Sequence, residues 1–475
     1  MKQIFTLILV LISKSIFGQE CKCENELKFV INYYEENLPA YTIDVNKSNI
    51  NWYNQFKIDL LKESKNKCNK ETDCYKIILT YVEFFKDNHS SIYQNSSIKI
   101  DESKPEEVEK FLNSDTFKDR EFFENFKIEE NNSLNEIVNT FQMNDNTYTV
   151  AIVKSKTNFR DFAGIIIDSK TPLWKKGQVK FELKEKSKNV FDMFLYMRNH
   201  SLEYKKNITL KNGILSHDWF NVKLKEKKSY NVITPGNRKE FKELTNDVNY
   251  LHIGTFNGQY TKEINDFYKK HDSVIQSKPF LIIDVRNNSG GSDDNSEFLM
   301  KYIYTKPYFG TKIEIYSTKE NIRKNEVFYQ MMLKDSLNWS KEWRTTIFNE
   351  IETMKKTPNQ SFIPRGSAEK YVLENLPKNP IKVIIITNKF CGSACETLVY
   401  RGLDSKKTIV VGENTYGSLG YGENTKINTP NFNFELYSTM TKNNKLPYEV
   451  VGIPPKYYLT NEKDWVEQAL ELIKK

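Results

Sequence analysis

The chain has 475 residues, of which 39% are hydrophobic and 13% aromatic, so it holds enough apolar material for more than one folded domain and is not a disordered chain. Its formal net charge is +8, from 70 basic and 62 acidic residues, and the two signs are interspersed along the chain. Such mixing argues against a basic arm of the kind that binds nucleic acid, and we expect no nucleic-acid partner.

The chain opens with MKQIFTLILVLISKSIFGQE, in which a positive residue precedes a short apolar run and small residues follow it. This order is typical of a cleaved export signal, and the run is too short to span a bilayer. We therefore predict a signal peptide over 1–19, a mature protein that is periplasmic or secreted, and no stable membrane span in that mature form. An uncleaved anchor is the alternative interpretation.

The segment 20–143 is predicted to be a helical N-terminal domain. In YKIILTYVEFFKD (75–87), apolar residues recur at the spacing of one helix face. The polar turn DNHSS follows, and it carries His89, one of five histidines in the chain.

Four of the six cysteines fall in this N-terminal domain, at Cys21, Cys23, Cys68 and Cys74. Export permits disulfides, so two bridges are plausible here, but four cysteines allow three pairings and the sequence does not choose among them. The spacings C-x-C and C-x₅-C fit a zinc site poorly.

The composition changes over 144–232, where short runs rich in β-formers alternate with turn residues. The runs are YTVAIVKS, FAGIIID, GQVKFELKE and VFDMFLYMR, and this pattern predicts a small β-rich domain. The stretch ITPGNR that follows is typical of a linker.

A third pattern occupies 233–475. The apolar runs in PFLIIDVRNNSGG, IKVIIITNKFCGS and KTIVVGEN read as buried strands, and ACETLVYRGL between the last two reads as a helix. Strand–helix–strand order with mostly apolar strands favours an α/β core. A polar, helix-like insertion over about 318–373 interrupts this core; it is predicted to be a surface excursion, with a lid or an oligomer contact as alternatives.

Ser393 lies in CGSACE, after one of these strands and at the expected start of a helix. Free backbone N–H groups and the helix dipole favour developing negative charge at such a point, which suits a nucleophilic serine. Taken alone, the same position also suits an ordinary helix N-cap. Cys391 and Cys395, which flank the serine, could be metal ligands, a disulfide, reactive thiols or bystanders.

The turn DVRNNSGG (284–291) also follows a buried strand, and its two adjacent glycines let the backbone approach a bound group closely. A phosphate loop is a competing interpretation, but the stretch lacks the lysine-containing P-loop pattern and acidic residues follow it. A simple tight turn is the third possibility.

Four motifs occur in a fixed order: D-x-R-N-N-x-G-G (284–291), G-S-A-x-E (392–396), G-E-N-T-x-G (412–417) and E-x-x-G-I-x-P (449–455). Together they resemble the C-terminal-processing and tricorn-type serine peptidase family, over roughly 248–458. The resemblance implies a crotonase-like α/β protease core, peptide-bond hydrolysis and peptide or protein substrates. Members often carry a PDZ domain before the core; the segment 144–232 lacks the Gly-Leu-Gly-Phe-type loop, so we expect a degenerate or non-PDZ domain there.

The family uses two catalytic schemes, and the resemblance implies the second for this chain. In the first, a lysine follows the T-x-G of the third motif, but here that position is Ser418. In the tricorn-like scheme, a histidine from a D-x-H-[ST] motif activates the serine, and a glutamate supports it. The matching residues are His89, in DNHS, and Glu449, in YEVVGIPP.

The oxyanion hole that the resemblance implies uses a backbone N–H from the glycine turn and the N–H that follows the nucleophile. These belong to Gly290 or Gly291 and to Ala394, and the sequence does not separate the two glycines. Cys391 and Cys395 are then interpreted as packing residues beside Ser393, although an i,i+4 disulfide across a helix start is geometrically awkward rather than excluded. Glu396 is expected in the first turn of the helix, where its charge suits the dipole.

The sequence therefore predicts an exported serine peptidase with Ser393 as nucleophile, His89 as general base and Glu449 as the orienting group. No metal or organic cofactor is implied, and an oligomer is possible. One alternative is a peptide- or ligand-binding protein with a degraded site on the same fold. A cysteine peptidase or metalloenzyme that uses Cys391 or Cys395 is another.

Overall fold

The structure, a computed structural model, describes residues 21–94, 99–128, 131–216, 218–224, 238–335, 339–365, 370–460 and 463–474. The predicted signal peptide over 1–19 and the predicted domain boundary at 232/233 lie outside these residues. None of the helices in the described ranges is both long and apolar enough to cross a membrane.

The first part of the chain is mainly helical, because its apolar residues recur every three or four positions and pack into one shared core. In the fourth helix, Ile77, Ile78 and Tyr81 are fully buried. The elements are α1 (Lys22–Asn37), α2 (Tyr41–Asp44), α3 (Ile50–Asn66), α4 (Glu71–Val82), β1 (Ser91–Tyr93), α5 (Pro105–Leu112) and α6 (Asp115–Lys118).

Two disulfides hold the first four cysteines, in one of the three pairings that the sequence left open. Cys21 bonds to Cys68, and Cys23 bonds to Cys74. These bonds tie the start of α1 to the end of α3 and to α4.

The middle segment forms a closed barrel of eight strands in which each strand pairs antiparallel with the next and the last returns to the first. Alternating residues of these strands face a shared interior, as in Phe181 and Leu183, which are fully buried. The strands are β2 (Thr140–Met143), β3 (Tyr148–Lys154), β4 (Phe162–Ser169), β5 (Val179–Ser187), β6 (Val190–Tyr196), β7 (Leu202–Lys211), β8 (Ile214–Leu215) and β9 (Trp219–Asn221).

The last part contains the long apolar strands predicted from the sequence. Its elements are β10 (Lys239–Glu243), β11 (Val248–Ile253), α7 (Thr261–Ser277), β12 (Phe280–Asp284), α8 (Asp294–Ile303), β13 (Tyr308–Phe309), β14 (Ile313–Ser317), α9 (Lys319–Lys334), α10 (Lys341–Lys356), β15 (Ser361–Arg365), β16 (Lys370–Tyr371), β17 (Lys382–Thr387), α11 (Ala394–Leu403), β18 (Thr408–Gly412), β19 (Tyr421–Gly422), β20 (Thr425–Asn428), β21 (Glu435–Ser438), β22 (Thr441–Asn443), β23 (Tyr457–Tyr458) and α12 (Trp465–Ile473).

Six of these strands form one sheet in the order β10-β11-β12-β17-β18-β23, and all neighbours are parallel except β10 and β11. Because side chains alternate along a strand, Ile283 and Ile385 pack toward α7, α8 and α11, whereas Ile282 and Ile384 pack toward α12. The protein is thus mixed α/β, as predicted. A crotonase-like topology for this core stays a prediction.

The helical part is bound to the α/β part by several contacts, among them a strand pair and a buried carboxylate. Strand β1 pairs antiparallel with β21, with Ser91 opposite Tyr437. The buried carboxylate of Glu26 in α1 accepts hydrogen bonds from the backbone amides of Asn431 and Phe432, at 2.8 and 2.9 Å. These contacts fix the turn just before β1, which carries His89, against the α/β core.

Candidate active site

Ser393 sits at a sharp turn between β17 and α11. Its backbone has φ 54° and ψ −120°, which a residue with a side chain rarely adopts and which costs about 1–3 kcal/mol unless the surroundings impose it. The Ser393 amide is held from two sides, because it donates to the Glu396 carboxylate and to Ser418 Oγ, both at 3.0 Å. The side chain is only partly buried, so it remains accessible.

The Glu396 carboxylate is completely buried and organises the loop that follows β18. It accepts hydrogen bonds from Thr415 Oγ1 at 2.5 Å, from the Gly417 and Ser418 amides at 2.8 Å each, and from Ser418 Oγ at 3.1 Å. With the Ser393 amide, this makes five donors on one carboxylate. Glu396 therefore joins the turn at Ser393 to the loop 415–418.

The glycine turn after β12 lies directly against Ser393. A Cβ atom on Gly290 would fall 2.5 Å from the Gly392 carbonyl oxygen, 2.8 Å from Ser393 Cβ and 2.9 Å from the Ala394 nitrogen. Gly290 has φ +92° and Gly291 has φ +139°, a region that favours glycine. The two motifs that lie about 100 residues apart in the sequence are thus in contact.

The structure distinguishes the two glycines, which the sequence does not. The Gly290 amide already donates to Asn288 Oδ1 at 2.9 Å. Within the described ranges, neither the Gly291 amide nor the Ala394 amide donates to any acceptor. These two N–H groups are therefore available to a developing negative charge beside Ser393.

His89 lies in the turn between α4 and β1. Its backbone amide donates to Asp87 Oδ1 at 3.0 Å, and Asp87 is in turn held by the hydroxyls of Ser90 and Thr439, both at 2.7 Å. Nδ1 of the imidazole is buried without a hydrogen-bond partner among the described residues. Burial lowers the pKa of His89 although the charges of Asp87 and Glu396 oppose this shift.

Glu449 faces the same turn from the C-terminal side. Its Oε1 accepts from the Asn88 amide at 2.8 Å, and its Oε2 accepts from the Gly420 amide at 2.6 Å. Burial, and then the charge of Asp87, raise the pKa of Glu449 to about 8. A nitrogen of His89 and one carboxylate oxygen each of Asp87 and Glu449 lie within 4.8 Å of one another.

These three side chains could hold a metal ion as well as a proton. The oxygens of both carboxylates are already occupied by backbone amides and hydroxyls. These hydrogen bonds fix the positions of both carboxylates beside the imidazole of His89.

One loop connects the histidine side of the site to the serine side. Asn88 Nδ2 donates to the Gly417 carbonyl at 2.9 Å, while Ser418 in the same loop contacts the Ser393 amide. The structure thus brings Gly290 against Ser393 and Ala394, with Gly291 next in the same turn, and it sets His89 and Glu449 against the loop that holds Ser393.

The sequence places Glu396 in the first turn of α11 for its charge, and the structure adds a role that this placement omits, since the Glu396 carboxylate binds the Ser393 amide. The signal is present in the sequence, because S-x-x-E at a helix start is the pattern in which the glutamate reaches back to the N-cap amide.

The prediction that Cys391 and Cys395 are packing residues is wrong. They form a disulfide with a Cα–Cα distance of 5.6 Å, well inside the usual range. His252, which alternates with apolar residues in YLHIGTF, is buried with Nδ1 2.9 Å from the Asp284 carbonyl oxygen.

Comparison with known proteins gives one match in sequence and several in structure. Residues 247–459 match the family model of peptidase family S41. None of the curated proteins compared with the chain matches it. Mature CPAF is similar in structure at 12% identity and a TM-score of 0.49, with 95% of this chain and 96% of that chain covered.

Two further solved structures are similar at lower scores. The photosystem II D1 C-terminal processing protease has 10% identity and a TM-score of 0.36, with 95% of this chain and 97% of that chain covered. The tricorn protease has 12% identity and a TM-score of 0.37, with 95% of this chain and 37% of that chain covered. At such distances no site residue is transferred from these structures to this chain.

Proposed function

We propose that this chain, of which residues 247–459 match peptidase family S41, is a serine-type peptidase that acts on peptides or proteins and forms an acyl-enzyme on Ser393 with His89 as general base. The observation that carries the proposal is the strained turn at Ser393, which lies against Gly290 and is followed by the Ala394 amide, a donor with no acceptor among the described residues. The proximity of the partly buried His89 to the buried Glu449, beside the loop that contains Gly417, supports it.

In the proposed reaction, Ser393 Oγ attacks the peptide carbonyl carbon while a nitrogen of His89 takes the hydroxyl proton. The carbonyl oxygen becomes an oxyanion between the Gly291 and Ala394 amides. His89 then gives its proton to the leaving amine, and the acyl-enzyme remains. Water, deprotonated by His89, attacks the ester and restores Ser393.

Glu449 is proposed to steady the imidazole and its positive charge during these transfers. Asp87 has a different role in this mechanism, because its carboxylate holds the turn through the His89 amide.

We further propose that the six-stranded sheet and its helices form a crotonase-like core, with the barrel of β2–β9 as a separate, inserted unit.

Export of the protein is proposed as well. All six cysteines are paired in three disulfides, which is typical of proteins in oxidising compartments. This supports the predicted export signal.

The direct test of the function is covalent labelling. We expect a fluorophosphonate probe to modify the folded protein at Ser393, as located by peptide mass spectrometry, and Ser393→Ala to remove both the label and the cleavage of a peptide library. Retention of peptidase activity in Ser393→Ala would contradict the proposal. A wild-type protein that neither labels nor cleaves would favour a peptide-binding protein with a degraded site.

Gly290→Ala is expected to lower kcat/KM by about 100-fold, because the new methyl group would displace Ser393 and the Ala394 amide from reactive geometry. The matched control is Gly258→Ala, where an added Cβ meets nothing within 4 Å, and its kcat/KM should equal that of the wild type. Steady-state kinetics on one fluorogenic peptide measure both. Equal kcat/KM for the two variants would show that the glycine turn does not border the reacting atoms.

The pH dependence should reflect Glu449. With its pKa raised to about 8, Glu449 is mostly protonated at neutral pH, whereas His89, with a lowered pKa, is already neutral and able to accept a proton. We therefore expect kcat/KM to rise as pH passes through about 8, because ionised Glu449 stabilises the imidazolium. Glu449→Gln should lose this limb, and a wild-type profile that is flat through this range would contradict the assigned role.

The same pKa shift has a consequence for folding stability. The folded-state pKa of Glu449 lies above its ordinary value of 4.5, so the unfolded chain releases this proton first. The contribution of Glu449 to stability is thus full below about pH 4.5 and is lost as pH rises through about 8.

A further inference from the structure

The disulfide between Cys391 and Cys395 closes a ring of five residues with Ser393 at its centre. Both cysteines are fully buried in the core beneath the helical face of the sheet. The ring therefore encloses the proposed nucleophile and also Ala394, whose amide is proposed to bind the oxyanion.

Both ends of the ring are anchored in the surrounding structure. The Cys391 amide donates to the Asn388 carbonyl at 2.9 Å, and the Cys391 carbonyl accepts from the Tyr416 amide at 2.8 Å. At the other end, Cys395 lies in the first turn of α11, and its Sγ lies 3.8 Å from the Val285 carbonyl oxygen. A covalent bond between two anchored ends limits the conformations open to the three residues between them.

Those three residues include the strained backbone of Ser393, with its φ of 54°. Two hydrogen bonds hold the Ser393 amide, to the Glu396 carboxylate and to Ser418 Oγ. Nothing in the described ranges bonds to the Ala394 amide, so its direction depends on the path of the chain from Ser393 into α11. The disulfide constrains this path.

We infer that the Cys391–Cys395 disulfide is a positioning group for acyl transfer, which keeps Ser393 Oγ and the Ala394 amide aimed at one point. The inference rests on the proposed function, since it presumes acylation at Ser393. It adds that the enzyme reacts at full rate only while this bond is formed.

A purely stabilising role is the competing explanation, and the loop length argues against it. A disulfide stabilises mainly by restricting the unfolded chain, and the restriction grows with the length of the loop it closes. Cys391 and Cys395 are four positions apart, whereas the partners in the Cys21–Cys68 bond are 47 apart. Loss of the Cys391–Cys395 disulfide should therefore lower the rate of acylation strongly and the melting temperature only slightly.

The test compares two double variants. In Cys391→Ala/Cys395→Ala, the rate of fluorophosphonate labelling and the kcat for peptide cleavage are both expected to be about 10- to 100-fold lower than in the wild type, with KM little changed. In the matched control, Cys21→Ala/Cys68→Ala, the melting temperature should fall more, while the labelling rate of the folded protein stays at the wild-type value.

Reduction of the folded wild type gives a second, independent measurement. A phosphine breaks the S–S bond by supplying two electrons, two protons come from water to form the thiols, and the phosphine becomes its oxide. Alkylation and mass spectrometry show whether Cys391 and Cys395 are free. In the wild type, the labelling rate should fall as these thiols appear and return to its first value on reoxidation. In Cys391→Ala/Cys395→Ala, the phosphine should not change the labelling rate.

The outcomes separate the two proposals. If wild type labels at Ser393 and the Cys391→Ala/Cys395→Ala variant labels equally fast, the disulfide has no positioning role and the proposed function stands. If wild type does not label at Ser393, the proposed function fails and this inference fails with it. Should the variant not fold, the reduced and reoxidised wild type decides the question.

Discussion

Glu396→Ala is expected to abolish acylation of Ser393 and to destabilise the protein by roughly 3–5 kcal/mol. The reason is that one buried carboxylate serves five donors. Without it, the Gly417 and Ser418 amides are left buried without an acceptor, and each such group costs about 1–3 kcal/mol. The loop 415–418 and the turn at Ser393 would lose their common support.

Thermal unfolding and fluorophosphonate labelling together measure this effect. Glu467→Ala is the matched control, because Glu467 is an exposed glutamate in the first turn of another helix, α12, and its loss should change neither quantity. For Glu396→Gln, the melting temperature and the labelling rate should lie between those of Glu396→Ala and the wild type. The glutamine keeps the shape of the side chain, but its amide N–H groups would face other donors. A Glu396→Ala variant that melts and labels like the control would show that the carboxylate is not the support described above.

Much of the candidate site could be predicted because each motif is local. A glycine pair, a serine at a helix start and a histidine in a polar turn are visible in a few residues each, and their order along the chain suggested that they meet. What the sequence could not give is the hydrogen bonding between motifs. Ser418 contacts the Ser393 amide across 25 positions of the chain. Asn288 accepts from the Gly290 amide because its side chain turns back on its own loop. Neither contact is predicted by a local pattern.

The fold shows the same division. The β-rich runs of the middle segment are strands in the structure, because alternation and turn residues are local signals. Closure of those strands into a barrel depends on β2 pairing with β9, with Phe141 opposite Asn221, and no local pattern records that pairing. The sequence likewise does not predict the disulfide between Cys391 and Cys395. The turn between these cysteines contains Ser393 with a positive φ, and sequence alone does not predict that conformation.

Two basic side chains are candidates for the general base, His89 and Lys445. In the lysine scheme of the family, the base would stand at Ser418, and here that hydroxyl is occupied by Glu396 and the Ser393 amide. Lys445 is also buried, and burial together with the charge of Arg401 lowers its pKa to about 8. Its ammonium group lies 4.7 Å from the centre of the Tyr400 ring, two turns along α11 from Ser393.

On the proposed mechanism, His89→Ala is expected to lower kcat/KM by at least about 1000-fold. Lys445→Met should lower it by less than about 10-fold, because the proposed mechanism passes the Ser393 proton to the imidazole, and the Lys445 ammonium packs over the Tyr400 ring. His89→Gln, which keeps the bulk of the side chain but not its basicity, should be as inactive as His89→Ala, while unchanged thermal unfolding would show that the turn at Asp87 is intact. Rates of fluorophosphonate labelling measured beside peptide cleavage report the acylation step itself. If Lys445→Met stopped labelling and His89→Ala did not, the base would be the lysine, and His89 would have only a structural role in its turn.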